Sequence, residues 1–232
     1  MITTHHTTQV LPYDLTDYDF PALLAELLGV ADLSRLTTDY APAPAAGSDR
    51  TANSLYKNME QSPHYARLYA ALDGPVGQRF HETFERFVQR VIRPRFDEPI
   101  YYQTQPSHRL LFADTPGKSR FHRDRDYGHS SVEVNYWVPQ TPAYGNNTIW
   151  IESAEGREDY TPQVLQPGEF LQFHGADLSH GARLNDTGRS RVSFDFRVIP
   201  ASAMTAADTT GGKFADSDNP VRGNARKYSY CP

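Results

Sequence analysis

Val132-Glu133-Val134-Asn135-Tyr136-Trp137-Val138 alternates apolar and polar residues up to Tyr136 and ends on two further apolar ones. In an extended chain this alternation places Glu133, Asn135 and Trp137 on one face and Val132, Val134, Tyr136 and Val138 on the other. Similar β-branched and aromatic runs stand at Pro99-Ile100-Tyr101-Tyr102, Leu110-Leu111-Phe112, Thr148-Ile149-Trp150-Ile151, Phe170-Leu171-Gln172-Phe173 and Val192-Ser193-Phe194-Asp195-Phe196-Arg197-Val198. Clusters of Gly, Pro, Asn and Asp separate them. Many short strands joined by turns predict an antiparallel sandwich or barrel over residues 98–200, not a series of βαβ units.

Upstream the period is helical. Leu23, Leu24, Leu27 and Leu28 follow Asp19-Phe20-Pro21 and precede Gly29, which predicts a short helix with Pro in its first turn and Gly as its stop. A second helical region is expected from Thr51 to about Phe96; within it Val76, Phe80, Phe84, Phe87, Val88 and Val91 make one apolar stripe for core packing. Ala41-Pro42-Ala43-Pro44 continues into Ala45-Ala46-Gly47-Ser48 with linker composition. The expected organisation is one domain: residues 1–97 mostly helical, 98–200 the β core, and 201–232 a polar tail or lid carrying Lys213, Arg222, Arg226, Lys227 and Tyr228.

With 23 Lys+Arg against 28 Asp+Glu in 232 residues, the formal charge is −5. No long basic run favours nucleic acid or an anionic membrane as partner. Mean hydropathy is −0.63 and the longest apolar cluster, around Leu23–Val30, is too short to span a bilayer. The first residues lack the basic and apolar regions of a signal peptide, and the single cysteine, Cys231, excludes a disulfide framework or Cys-based metal site. These features predict a cytoplasmic protein with a small-molecule partner and leave its oligomeric state open.

The densest polar cluster is Phe121-His122-Arg123-Asp124-Arg125-Asp126-Tyr127-Gly128-His129. In an extended segment His122 and Asp124 point to the same side, so both can face one metal ion. The later segment from His174 to His180 supplies a second histidine. Two His and one carboxylate on one face of an ion, with other positions open, suit non-haem Fe(II) chemistry. Arg191 follows eleven residues after His180 and could pair bidentately with a carboxylate, Ser193 adding a hydroxyl; a local Asp186 or Asp195 could equally be its partner.

The order Phe121-His122-x-Asp124, Pro167-Gly168-Glu169-Phe170-Leu171, His180-Gly181, Asn185 and Arg191-x-Ser193 resembles the Fe(II)/2-oxoglutarate-dependent dioxygenases. It is nearest the phytanoyl-CoA-dioxygenase-like side and bacterial members of streptomycin-type antibiotic clusters. The resemblance covers about residues 101–200. It implies a double-stranded β-helix, a jelly roll of the cupin kind buttressed by the N-terminal helices. It implies iron at His122, Asp124 and His180, and Arg191 with Ser193 on the distal carboxylate of 2-oxoglutarate, with O2 consumed and succinate and CO2 released.

Asp126 lies one pleat further from the metal than Asp124. His174 stands seventeen residues before Arg191, a poorer fit to one hairpin than the eleven from His180. Arg191 shares a strand face with Ser193, which Arg189 of the run Arg189-Ser190-Arg191 does not stand beside as closely. With Asp124 as a ligand, no position is left for the chloride of a halogenase, so hydroxylation or another oxidation is expected. Asn135 is expected on the cosubstrate or substrate, with Trp137 as a wall. Tyr102, Gln105, Arg109, Tyr127, His129, Trp150 and Glu152 are expected around the mouth. No CoA-recognition patch is visible, which points to an amino-acid-like, cyclitol, aminosugar or other hydrophilic natural-product substrate. Two other classes compete: a cupin-type isomerase or metal hydrolase with no use for Arg191, and a non-catalytic jelly-roll binding module.

Overall fold

Each helix begins where a Pro stands in the first turn. In α1 (Phe20–Leu28) the Asp19 carboxylate accepts from the Ala22 amide at 3.0 Å, Pro21 follows, and Gly29 ends the helix in the left-handed conformation at φ 63°. In α2 (Pro63–Leu72) the Ser62 hydroxyl accepts from the Tyr65 amide at 3.3 Å. The third helix, α3 (Pro75–Phe87), passes into a π-turn at Val88–Ile92 and a 3₁₀ turn at Arg93–Arg95, so the helical reading to about Phe96 holds. The computed structural model describes residues 7–37, 62–115, 120–206, 208 and 228–232. The expected linker at 41–48, the helical start at 51–61 and most of the expected tail lie outside them. Among the described residues no helix is long and apolar enough to cross a membrane.

Among the described residues the strands are, in chain order, β1 (Gln9–Pro12), β2 (Ile100–Gln103), β3 (Ser107–Leu111), β4 (Val134–Pro139), β5 (Trp150–Ile151), β6 (Thr161–Pro162), β7 (Glu169–Phe173), β8 (His180–Gly181), β9 (Arg191–Pro200) and β10 (Tyr228–Cys231). All pairings are antiparallel. The larger sheet runs β1-β7-β4-β9-β2-β10, with β3 also on β9; the smaller runs β6-β5-β8 and is extended by a backbone bridge between His122 and His180. From β3 the chain crosses to the bridge at His122, returns to β4, crosses to β5 and β6, returns to β7, crosses to β8 and returns to β9. This alternation between two facing sheets, β3-β9-β4-β7 over 122-β8-β5-β6, is a double-stranded β-helix. Strands β1, β2 and β10 widen the larger sheet. Composition assigns the β10 residues to a polar tail; Tyr228–Cys231 is instead an edge strand on β2, and Cys231 is buried.

The larger sheet has two unlike faces. Val192, Phe194, Phe196 and Val198 of β9 pack with Val134, Tyr136 and Val138 of β4 under the helices. Phe194 meets Phe20 and Phe80 edge-on at 5.0 and 5.7 Å between ring centres, and Phe196 meets Phe84 at 5.0 Å. Tyr102 belongs to this core as well, 6.1 Å from the Phe84 ring, and so does not stand at the mouth of the barrel as expected. The opposite face turns Arg191, Asp195 and Arg197 of β9 and Asn135 and Trp137 of β4 into the space between the sheets.

His108 pairs in register with Phe194 and so points into the helix-side core, 5.2 Å from Phe80, with neither ring nitrogen hydrogen-bonded. Burial pushes its imidazole down to about 3. The folded protein therefore keeps it neutral while the unfolded chain takes up a proton below about pH 6.5, and each pH unit between about 6.5 and 3 removes about 1.4 kcal/mol of stability. Thermal unfolding of His108→Leu should accordingly fall less steeply with acidification than wild type; parallel curves would contradict this. Phe84→Ala, which opens a cavity at the ring cluster, is expected to cost about 3–5 kcal/mol in chemical denaturation.

Candidate metal centre and anion site

The backbone brings the two histidines together first. His122 and His180 exchange amide-to-carbonyl hydrogen bonds of 3.0 and 2.9 Å, which fixes their side chains on one side of the bridge. Gly181 permits this approach, since a Cβ there would lie 3.0 Å from the Phe121 backbone. Arg123 is extended, but Asp124 opens a 3₁₀ turn, Asp124–Tyr127, closed by Gly128 at φ 79°. The extended segment expected to continue through Asp124 is thus replaced by a turn; one extended residue suffices to return its carboxylate to His122. Asp124 Oδ1 lies 3.5 Å from His122 Nε2 and 3.6 Å from His180 Nε2, and the three ligand atoms all lie within 4.8 Å of one another.

The remaining ring nitrogens set the tautomers. His122 Nδ1 is 2.7 Å from the Arg120 carbonyl and His180 Nδ1 is 2.9 Å from the Leu178 carbonyl. Carbonyl oxygens only accept, so each Nδ1 carries a hydrogen and Nε2 is the ring atom that each histidine turns toward Asp124. Burial lowers the His180 pKa, outweighing the attraction of Asp124. Asp124 is 3% exposed. Burial alone would push its carboxyl up, but Arg197, the His122 contact and His180 together hold it well below the usual carboxylate range. The competing groups are elsewhere: Asp126 accepts from the Arg123 amide at 3.1 Å in the exposed part of the turn, and His174 is held by the Ser131 carbonyl at 2.7 Å and Asp177 at 3.0 Å.

Arg191 opens into the same cavity. Its Nε donates to the Asn147 carbonyl at 3.0 Å and its Nη1 to Ser193 Oγ at 2.6 Å, with the Trp137 ring 5.4 Å from the guanidinium carbon. Among the described residues no carboxylate lies within ion-pair distance of it. Asp195 is taken by Arg109, at 2.7 and 3.3 Å, and Asp186 accepts from Asn146. Burial pulls the Arg191 pKa down to about 10, and the group remains cationic at neutral pH. Arg189 is exposed. A buried, unmatched guanidinium already holding a serine hydroxyl suits an incoming carboxylate.

The other expected residues divide. Trp137 and Arg109 line the cavity, Arg109 with its charge matched by Asp195. Tyr127 is at the surface, edge-on to His122 at 5.1 Å. Asn135 lines the cavity, but its amide is engaged: Nδ2 donates to Asp124 Oδ2 at 2.7 Å and Oδ1 accepts from the Gly175 amide at 3.1 Å. His129 is bonded to Glu133 at 2.8 Å. Trp150 is not in the cavity wall; Arg183 covers its ring at 3.6 Å. Glu152 holds a loop by accepting from the amides of Ser179 and Glu158 at 2.6 and 3.0 Å. The residues that sequence reasoning misses are Tyr65 and above all Arg197, while Asp195, weighed only as a partner of Arg191, pairs with Arg109 instead. The strict alternation of polar Arg191, Ser193, Asp195 and Arg197 along β9 is the signal that could have found Arg197.

No established family profile matches the chain. Among solved structures, HygX from Streptomyces hygroscopicus, with nickel and 2-oxoglutarate bound, matches 91% of this chain and 92% of its own at 14% identity and a TM-score of 0.46. The nickel complex of the non-haem monooxygenase ThoJ matches 58% of this chain at 15% identity and a TM-score of 0.36; the match spans 54% of ThoJ. The streptomycin biosynthesis protein StrG of Streptomyces griseus is 36% identical over 200 residues, 85% of this chain and 87% of StrG. Identity at that level, extending over most of both sequences, shows that the chain belongs to the family of the streptomycin biosynthesis protein StrG.

Proposed function

We propose that this protein is an Fe(II)- and 2-oxoglutarate-dependent oxygenase that oxidises, by hydroxylation, a small polar intermediate of antibiotic biosynthesis. The observation that carries the reading is the meeting, in one cavity, of three convergent ligand atoms and a buried arginine with no carboxylate partner among the described residues. His122 Nε2, Asp124 Oδ1 and His180 Nε2 would hold the metal, and Arg191 with Ser193 the far carboxylate of 2-oxoglutarate. The donor set fits: two neutral imidazoles and one carboxylate on one side of an ion leave other positions open. When bound, iron and 2-oxoglutarate supply oxidising power from O2, with succinate and CO2 as coproducts.

The chain's own residues orient and shield. The carbonyls of Arg120 and Leu178 fix both histidine tautomers, and Asn135 fixes Asp124. Trp137, Leu111 and Ile149 form an apolar wall in the cavity that holds Arg191, limiting water around its charge. The antibiotic-pathway substrate is supported by membership in the StrG family and by the polar, ion-paired Arg109–Asp195 lining.

Anaerobic addition of Fe(II) and then 2-oxoglutarate, followed by visible absorption, tests this. A charge-transfer band is expected in wild type and not in His180→Ala. Arg191→Ala should require about 10–100-fold more 2-oxoglutarate, the worth of a charge-assisted pair. Bound iron without a band would overturn the 2-oxoglutarate assignment in favour of an isomerase or hydrolase; failure to bind metal would leave a binding module.

A further inference from the structure

Arg197 sits between two buried carboxylates. Its Nη2 and Nε donate to Asp124 Oδ2 at 2.8 and 3.1 Å, and Nε is also 3.2 Å from Glu133 Oε2. Asn135 Nδ2 is a third donor to the same Asp124 oxygen, at 2.7 Å. A carboxylate oxygen has two lone pairs. Three donors at these distances therefore saturate Oδ2, and Oδ1 is the oxygen left facing the two histidines.

We infer that Arg197, assisted by Asn135, makes Asp124 a one-oxygen metal ligand and so keeps free the coordination position that a two-oxygen carboxylate would take. The inference rests on the metal reading above and concerns a positioning role, since Arg197 acts through Asp124. The surroundings are built for it. The Arg197 amide donates to Gln103 Oε1 at 2.8 Å, anchoring β9 at this residue. Glu133, itself held by His129 at 2.8 Å and by the Ser130 amide at 3.3 Å, offsets the guanidinium charge so that a second cation can be accepted nearby. Gly175 leaves room for the Asn135 amide: a Cβ there would lie 2.8–2.9 Å from its atoms. A metal with three protein ligands and its other positions open has room for a chelating cosubstrate and for oxygen; a chelating Asp124 would remove one.

Mn(II) is the probe, because water-proton relaxation reports how much water the bound ion retains, with no turnover. Wild type is compared with Arg197→Gln/Glu133→Gln, which removes the buried charges as a pair, with Arg197→Lys, which keeps charge but not the fork, and with Gly175→Ala, which crowds the Asn135 amide. Circular dichroism checks folding. All three variants are expected to show lower relaxation enhancement per bound Mn(II), as the second oxygen of Asp124 replaces a water. The charge-pair variant is expected to bind Mn(II) about 10–100-fold more weakly. Wild-type relaxation and affinity in every folded variant would overturn the positioning role while leaving the metal centre standing; should the double variant not fold, Arg197→Lys decides between the two outcomes. If Mn(II) binding is absent, or unchanged in His180→Ala, the metal reading falls and this inference with it.

Discussion

A carboxylate removed almost wholly from water is the constraint around which this protein is arranged. Asp124 is 3% exposed, and burial by itself would push its pKa up, toward the neutral acid. It stays ionised because β9 delivers the Arg197 guanidinium and β4 the Asn135 amide to one of its oxygens. Those two strands pair in register, Asn135 opposite Arg197, so the two donors reach Asp124 from adjacent positions of one sheet. The other oxygen is thereby fixed against two histidines that the smaller sheet holds by a backbone bridge. Fold and site are in this sense one construction: a shift in the pairing of β4 with β9 would strand a buried charge.

The second consequence of the sheet is division of labour between its faces. The helices and their aromatic cluster cover one side of β9 and β4, supplying apolar burial that lets the other side remain polar. On that polar side the charges alternate along β9. Among the described residues Arg191 has no carboxylate partner at one end, the Arg109–Asp195 pair lies in the middle, and Arg197 is matched to Asp124 and Glu133 at the other. An unmatched buried cation stands at one end and converging ligand atoms at the other; a short dianion reaching from one to a metal at the other is the chemistry this layout suits.

Much of this is legible in the sequence because it depends on local pattern. The long strands β4, β7 and β9 stand out as β-branched and aromatic runs, and the geometry brings Asp124 and His180, not Asp126 and His174, together with His122. The smaller sheet is harder to read: β5 falls within the run Thr148–Ile151, but β6 and β8 are two residues each, too short for any period, and only their pairing with β5 defines them. Tyr102 and Trp150 look like mouth residues by composition, yet strand phase turns Tyr102 into the helix core and leaves Trp150 under Arg183. Asn135 falls on the face that the alternation gives it, but the sequence does not reveal that its amide is taken up by Asp124 instead of by a cosubstrate or substrate. Arg197 escapes notice for the same reason: a buried charge is recognised by the partner it meets, and that partner lies 73 residues away.

The most direct measurement is the anomalous diffraction of crystals grown anaerobically with Ni(II) and 2-oxoglutarate. One metal peak is predicted, bounded by His122 Nε2, a single oxygen of Asp124 and His180 Nε2, with a carboxylate of 2-oxoglutarate on Arg191 and Ser193. Metal bound at other residues, or 2-oxoglutarate lying away from Arg191, would contradict the account.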